Sequence, residues 1–164
     1  MNRARPWIGL VARLVVAGTL LVAGGIKAMD TSASVRAVTA YELLPVPVAE
    51  VVGYALPWVE IALALLLLAG IMTRFAATAS LALFVVFVVG IGSAWARGLS
   101  IDCGCFGGGG QVASDQTAYL SEIVRDVLLI AVAAWLVRWP VTRFAVDSDT
   151  AAFESVPAFE ESRP

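Results

Sequence analysis

Residues 56–70 read LPWVEIALALLLLAG, an apolar run broken by one carboxylate, Glu60. The run extends over residues 51–71, about the 20 residues that a helix needs to cross the hydrocarbon core of a bilayer. Working outward, comparable runs cover residues 7–26, 75–96 and 119–137. Lipid supplies no hydrogen-bond partners, so each segment has to satisfy its own backbone N–H and C=O groups, and runs of this length do so as helices. The expected fold is all-α, an integral membrane four-helix bundle whose first partner is the lipid bilayer.

The 164-residue chain is 60% hydrophobic and 15% charged, with a mean hydropathy of +0.86. A soluble domain of this size has too little interior to hide so much apolar surface, whereas lipid accepts it. A net charge of −2 without a basic cluster leaves nothing to grip a phosphate backbone, which argues against nucleic acid as a partner. Histidine is absent, which removes the usual general base, Ser-His triads and most zinc or haem sites. Chemistry is left to thiols, carboxylates, amines or a bound cofactor.

Arg3, Arg5, Arg74, Arg138 and Arg143 fall on one side of four such spans, and Lys27, Arg36 and Arg97 on the other. Cytoplasmic loops carry the excess of positive residues, so both termini are expected inside, in a multi-pass protein of the plasma membrane. The first run is too long for a cleaved signal and is interrupted by Arg13, so it reads as a retained span. Ser34 is expected to cap a short amphipathic helix with Val35, Val38 and Leu43 on one side, ended by Pro45 and Pro47. Past Pro140, acidic residues spread among small ones predict a disordered cytoplasmic tail over 141–164, leaving 1–140 as the membrane domain. Trp7, Trp58, Trp95, Trp135 and Trp139 are read as an interfacial belt rather than a cofactor site.

Charges inside the spans need partners, because each costs at least about 2.5–3.5 kcal/mol at the centre of a bilayer. Glu60 lies about 13 Å and Arg125 about 9 Å below the outer ends of their spans, at 1.5 Å per residue. A Glu60–Arg125 contact is geometrically allowed, with Asp126 or Lys27 balancing the cluster. Two roles suit such a group: a salt bridge that sets helix register, or the polar floor of a pocket that carries a proton or holds a polar head group.

The loop after the third span reads SIDCGCFGGGGQ over residues 100–111 and holds both cysteines, Cys103 and Cys105. On the charge bias it is extracytoplasmic, where disulfides persist. Cα atoms two residues apart are at most about 7 Å apart and a disulfide needs roughly 4.4–6.8 Å, so a bridge closes if Gly104 bends. Such a small ring removes little entropy from the unfolded chain and suits exchange better than stapling. Asp102 opposes thiolate formation at Cys103, while Arg97 favours it if the loop folds back. Phe106 and Gly107 support the loop, and the glycine run allows close approach of a partner. The remaining readings are a Cu(I) clip, for which a CxC pair suffices though zinc lacks its four ligands, and a loop disulfide or thiol pair without catalytic use. No protein metal site is assigned.

AGGIKAMD over 23–30, YELLP over 41–45, LPWVEIALALLLLAG, RGLSIDCGCFG over 97–107 and RDVLLIA over 125–131 together resemble the MauE family, methylamine-utilisation membrane proteins within a broader DoxX-like group. The resemblance covers residues 7–138, and CGCFG is its most specific element. It implies a membrane redox accessory in which Cys103 and Cys105 exchange thiol and disulfide with a thioredoxin-like extracytoplasmic protein, and in which Lys27, Glu60 and Arg125 occupy positions typical of the group. Methylamine use does not follow from it. With one cysteine pair, the cycle needs a second protein, such as a larger membrane oxidoreductase complex, or a membrane quinone to complete it. The rival reading is a scaffold subunit of a respiratory or oxidoreductase complex, with CGC only shaping the loop. A small transporter using Glu60 for proton coupling ranks below both, because broken helices and internal repeats are not evident.

Overall fold

The computed structural model describes residues 5–102, 104, 109–113, 117–140, 142, 145 and 146. Among them are helices α1 (Arg5–Met29), α2 (Thr31–Ala40), α3 (Val46–Ala69), α4 (Thr73–Ala96) and α5 (Tyr119–Arg138). Strands β1 (Ile101–Asp102) and β2 (Gly110–Gln111) pair antiparallel between α4 and α5, with Ile101 opposite Gln111 and Asp102 opposite Gly110. The four long helices pack side by side, α1 against α3 and α5, and α4 against α5 and α3. Their shared core includes Val16, Leu20, Leu67, Phe84, Ala133 and Leu136.

Helices α1, α3 and α4 are long and apolar enough to cross a membrane. Helix α5, read as a fourth span, carries Glu122, Arg125 and Asp126 in its first half, so its hydropathy is interrupted where it packs. Its buried residues Asp126, Leu129, Ala133 and Leu136 recur at helical spacing, so one face is turned into the protein.

Small residues set how closely the helices approach. A Cβ at Gly24 of α1 would lie 2.9 Å from the Pro57 carbonyl oxygen and 3.0 Å from Glu60 Cβ, so α1 and α3 are nearly in backbone contact there. At the other end of this pair, Arg13 Nη1 donates to Thr142 Oγ1 at 2.9 Å, and Thr142 and Ala145 are buried. Packed chain therefore continues past the boundary at residue 140 expected from composition. Residues 147–164, most of the expected acidic tail, lie outside the described residues.

The short helix α2 corrects a local expectation. Its N-cap is Asp30, whose Oδ1 accepts from Ala33 N at 2.9 Å, and Ser34 lies inside the helix instead. The Ser32 hydroxyl and the Ala33 N–H stabilise the Asp30 carboxylate and hold its carboxyl below the usual range, so this cap persists until pH falls beneath that range. Ser34 is buried and donates to the Gly53 carbonyl at 2.8 Å, fastening α2 to α3. Pro45 and Pro47 do not stop α2. They sit at the N-cap and first turn of α3, where proline's missing N–H costs nothing. Helix α3 consequently begins at Val46, five residues before the expected start at 51, and Trp58 falls well inside it and exposed rather than at an end.

Gly53 tests this packing, since a Cβ there would lie 2.6 Å from Val35 Cα. Gly53→Val is expected to lower unfolding stability in detergent by about 1–3 kcal/mol, the usual range for overpacking. Gly92→Ala, on α4 with nothing within 4 Å, is expected to be neutral or slightly stabilising in the same assay.

Candidate functional site

The charged residues singled out in the sequence converge on one place. Lys27 lies one turn beyond Gly24 on α1, so the close approach to α3 carries its ammonium to Glu60, with Nζ 2.6 Å from Oε1. Lys27 is 6% exposed and Glu60 is fully buried. Arg125 Nε bonds Asp126 Oδ1 at 2.9 Å, with Asp126 buried and Arg125 partly open. Glu60 therefore pairs with Lys27 and not directly with Arg125, yet all four line one narrow cavity with Thr19, Phe84 and Phe87. That cavity has room for about one water-sized molecule.

The physical reason for the changed partner is helix offset. Helix α1 ends at Met29, close to the level of Glu60, whereas α3 extends 14 residues from Glu60 back to Val46. Those 14 residues correspond to about 21 Å at 1.5 Å per residue. Helix α2 lies against this protruding part of α3, and Lys27 near the end of α1 is buried rather than held at a surface.

Glu60 Oε2 and Asp126 Oδ2 are buried and have no hydrogen-bond partner among the described residues. A buried acceptor of this kind normally finds a donor or an ordered water. Lys27 also lies 5.3 Å from the Phe87 ring centroid, a cation–π contact that offsets part of its desolvation.

The second candidate region is the hairpin after α4. Val112 N donates to Ser100 O at 2.9 Å and extends the β1–β2 pairing. Tyr119, the first residue of α5, clamps it: its hydroxyl donates to Leu99 O at 2.6 Å and accepts from Ile101 N at 2.9 Å. Asp102 Oδ1 accepts from Gly104 N at 2.9 Å, a local turn that engages the carboxylate next to Cys103. Gly104 has φ +67° and Gly109 φ +98°, conformations that L side chains rarely adopt. A Cβ at either position would lie 2.6 Å from Ala37 Cβ, so the two arms of the hairpin rest directly on α2 at Gly104 and Gly109. Cys103, Cys105, Phe106 and Gly107 lie outside the described residues.

Arg97 does not need the loop as a partner. Its guanidinium donates to the carbonyls of Tyr41 and Ser93 and ties the end of α4 to the end of α2. Sequence reasoning missed this tie, the Tyr119 clamp and the burial of Arg13. Only Arg13 left a signal, a lone cation within an apolar run.

Removing one member of the Lys27–Glu60 pair strands the other in a buried site. Lys27→Met or Glu60→Leu alone is expected to cost about 3–5 kcal/mol of unfolding stability in detergent. The double variant is expected to cost less than the two single losses added together, and a double-mutant cycle measures the difference.

The family model described as Methylamine utilisation protein MauE matches residues 5–138. No curated protein and no solved structure matches the chain.

Proposed function

This chain belongs to the MauE family, and from that premise we propose that it is a membrane redox accessory that exchanges thiol and disulfide through Cys103 and Cys105 with a thioredoxin-like protein outside the cytoplasm. In this reading α1, α3, α4 and α5 all cross the plasma membrane, both ends of the chain face the cytoplasm and the hairpin faces outward. The process served, on the family's description, is methylamine utilisation.

The observation that carries the reading is the seating of Gly104. The glycine between the two cysteines is buried, is held by the Asp102 carboxylate on one side and abuts Ala37 of α2 on the other. A disulfide exchange site gains from such a base, because the attacking thiolate needs one sulfur presented in a reproducible orientation. Exchange then runs in two steps. A partner thiolate attacks one sulfur of the Cys103–Cys105 disulfide, forming a mixed disulfide and releasing the other cysteine as a thiolate. A second partner thiolate attacks the mixed disulfide, so the partner leaves oxidised and the pair here holds two electrons and, after protonation, two protons. The reverse sequence oxidises this pair and reduces the partner.

Labelling of intact cells with a membrane-impermeant thiol reagent is expected to modify Cys103 and Cys105 only after reductant is added. Cys105→Ser is expected to trap a mixed disulfide with the partner, visible without reductant and lost in Cys103→Ser/Cys105→Ser. Labelling without reductant, or an unchanged partner redox state in the double variant, defeats the exchange reading and leaves the scaffold role.

A further inference from the structure

Between α2, α3 and α4 runs a groove of about 420 Å3, within the range of small-molecule sites. Its walls are almost entirely apolar, with Val52 and Leu56 from α3, Val86 and Val89 from α4, and the Tyr41 ring. Val52, Val86 and Val89 are exposed, so the mouth opens on the apolar outer surface that lipid covers. Lys27 lines this groove and also lines the narrow cavity that holds Glu60, Arg125 and Asp126.

Lysine carries three N–H donors. Among the described residues, Lys27 Nζ has one hydrogen-bond acceptor, Glu60. A buried ammonium with unmet donors at the wall of an apolar groove calls for an acceptor oxygen from whatever fills it. The ion pair is neutral as a unit. Lys27 is the one charged residue at the end of the groove and Glu60 behind it compensates that charge, so a neutral acceptor suits the site better than a charged head group. The rings of Phe87 and Tyr41 in the wall suit a flat conjugated body. Behind Lys27, two carboxylates with unmet oxygens offer a route for protons, which an inert ester lipid would have no use for.

We propose that this groove binds a neutral, carbonyl-bearing membrane quinone, with Lys27 donating a hydrogen bond to one quinone oxygen and the apolar tail leaving between α3 and α4. The site is independent of the cysteine pair. Its test is therefore separable from thiol exchange.

The probe is decylubiquinone, titrated into the full-length protein in detergent, with the unfolding midpoint as readout. Binding to the folded state raises the midpoint saturably. The same rise is expected in Cys103→Ser/Cys105→Ser, so failure of thiol exchange leaves this result standing and the converse also holds. Val86→Trp changes an exposed residue and should keep the unliganded midpoint, while blocking the mouth and weakening binding at least tenfold. The apolar replacement Lys27→Met/Glu60→Leu, which avoids a stranded charge, should also weaken binding at least tenfold. An equal midpoint rise with dodecanol at the same concentration identifies the groove as a plain acyl-chain site and overturns the proposal. So does unchanged decylubiquinone binding in Val86→Trp or in the Lys27 and Glu60 double variant.

Discussion

An ammonium and a carboxylate 2.6 Å apart, both almost completely removed from solvent, impose the strictest demand on this structure. Neither charge is tolerable alone in a low-dielectric interior, so every neighbouring feature has to keep them together and covered. Gly24 lets α1 come close enough to α3 for Lys27 to reach Glu60. Phe87 lies near the ammonium from α4, while Arg125 and Asp126 from α5 form a second compensated pair across the same cavity. Elements from four helices thus meet at one point, and the register of each is constrained by it.

Helix α2 links this buried point to the hairpin. It lies where α1 has ended and α3 continues, and Ser34 and Val35 secure it to the α3 backbone at Gly53. Ala33 and Ala37 of the same helix receive the hairpin at Gly109 and Gly104. Small residues are needed on both sides of that contact, since the backbone itself is the contacting surface. One ten-residue helix therefore serves as cover for the charge cluster and as base for the hairpin. A change that tilts α2 is felt at both sites, which gives a physical route between them without requiring a continuous chain of polar contacts.

The helical segments were legible because apolar length is a coarse quantity: residues 7–26, 75–96 and 119–137 lie within α1, α4 and α5, while the run at 51–71 caught most of α3. The convergence of Lys27, Glu60, Arg125 and Asp126 was legible from the cost of isolated charge. Their pairing was not, because it depends on the offset of α1 against α3, and sequence alone does not give where two helices cross. Ser34 was the expected cap of α2, but Asp30 caps it and the Ser34 hydroxyl is engaged with the Gly53 carbonyl instead. Pro45 and Pro47 are ambiguous in principle, since a proline that cannot continue one helix can begin the next. Arg13 and Thr142 are 129 residues apart, and nothing local marks one as the partner of the other.

The groove follows from the same geometry. Gly70 and Met72 both adopt left-handed φ in the short connection between α3 and α4, which keeps the joined ends of these helices adjacent. Toward their far ends α2 is fastened to α3 through Ser34 and to α4 through Arg97 and through the Tyr41 ring, which lies 3.4 Å from a Cβ built at Gly90. The three helices enclose a cleft, and α1 supplies Lys27 to its wall. Filling the cleft with larger apolar side chains would remove exposed surface at little cost, yet α4 presents Val85, Val86, Val89 and Gly90 there. Valines and a glycine keep this part of the wall low beside Leu83 and Phe87, and Lys27 is the one charged residue in it.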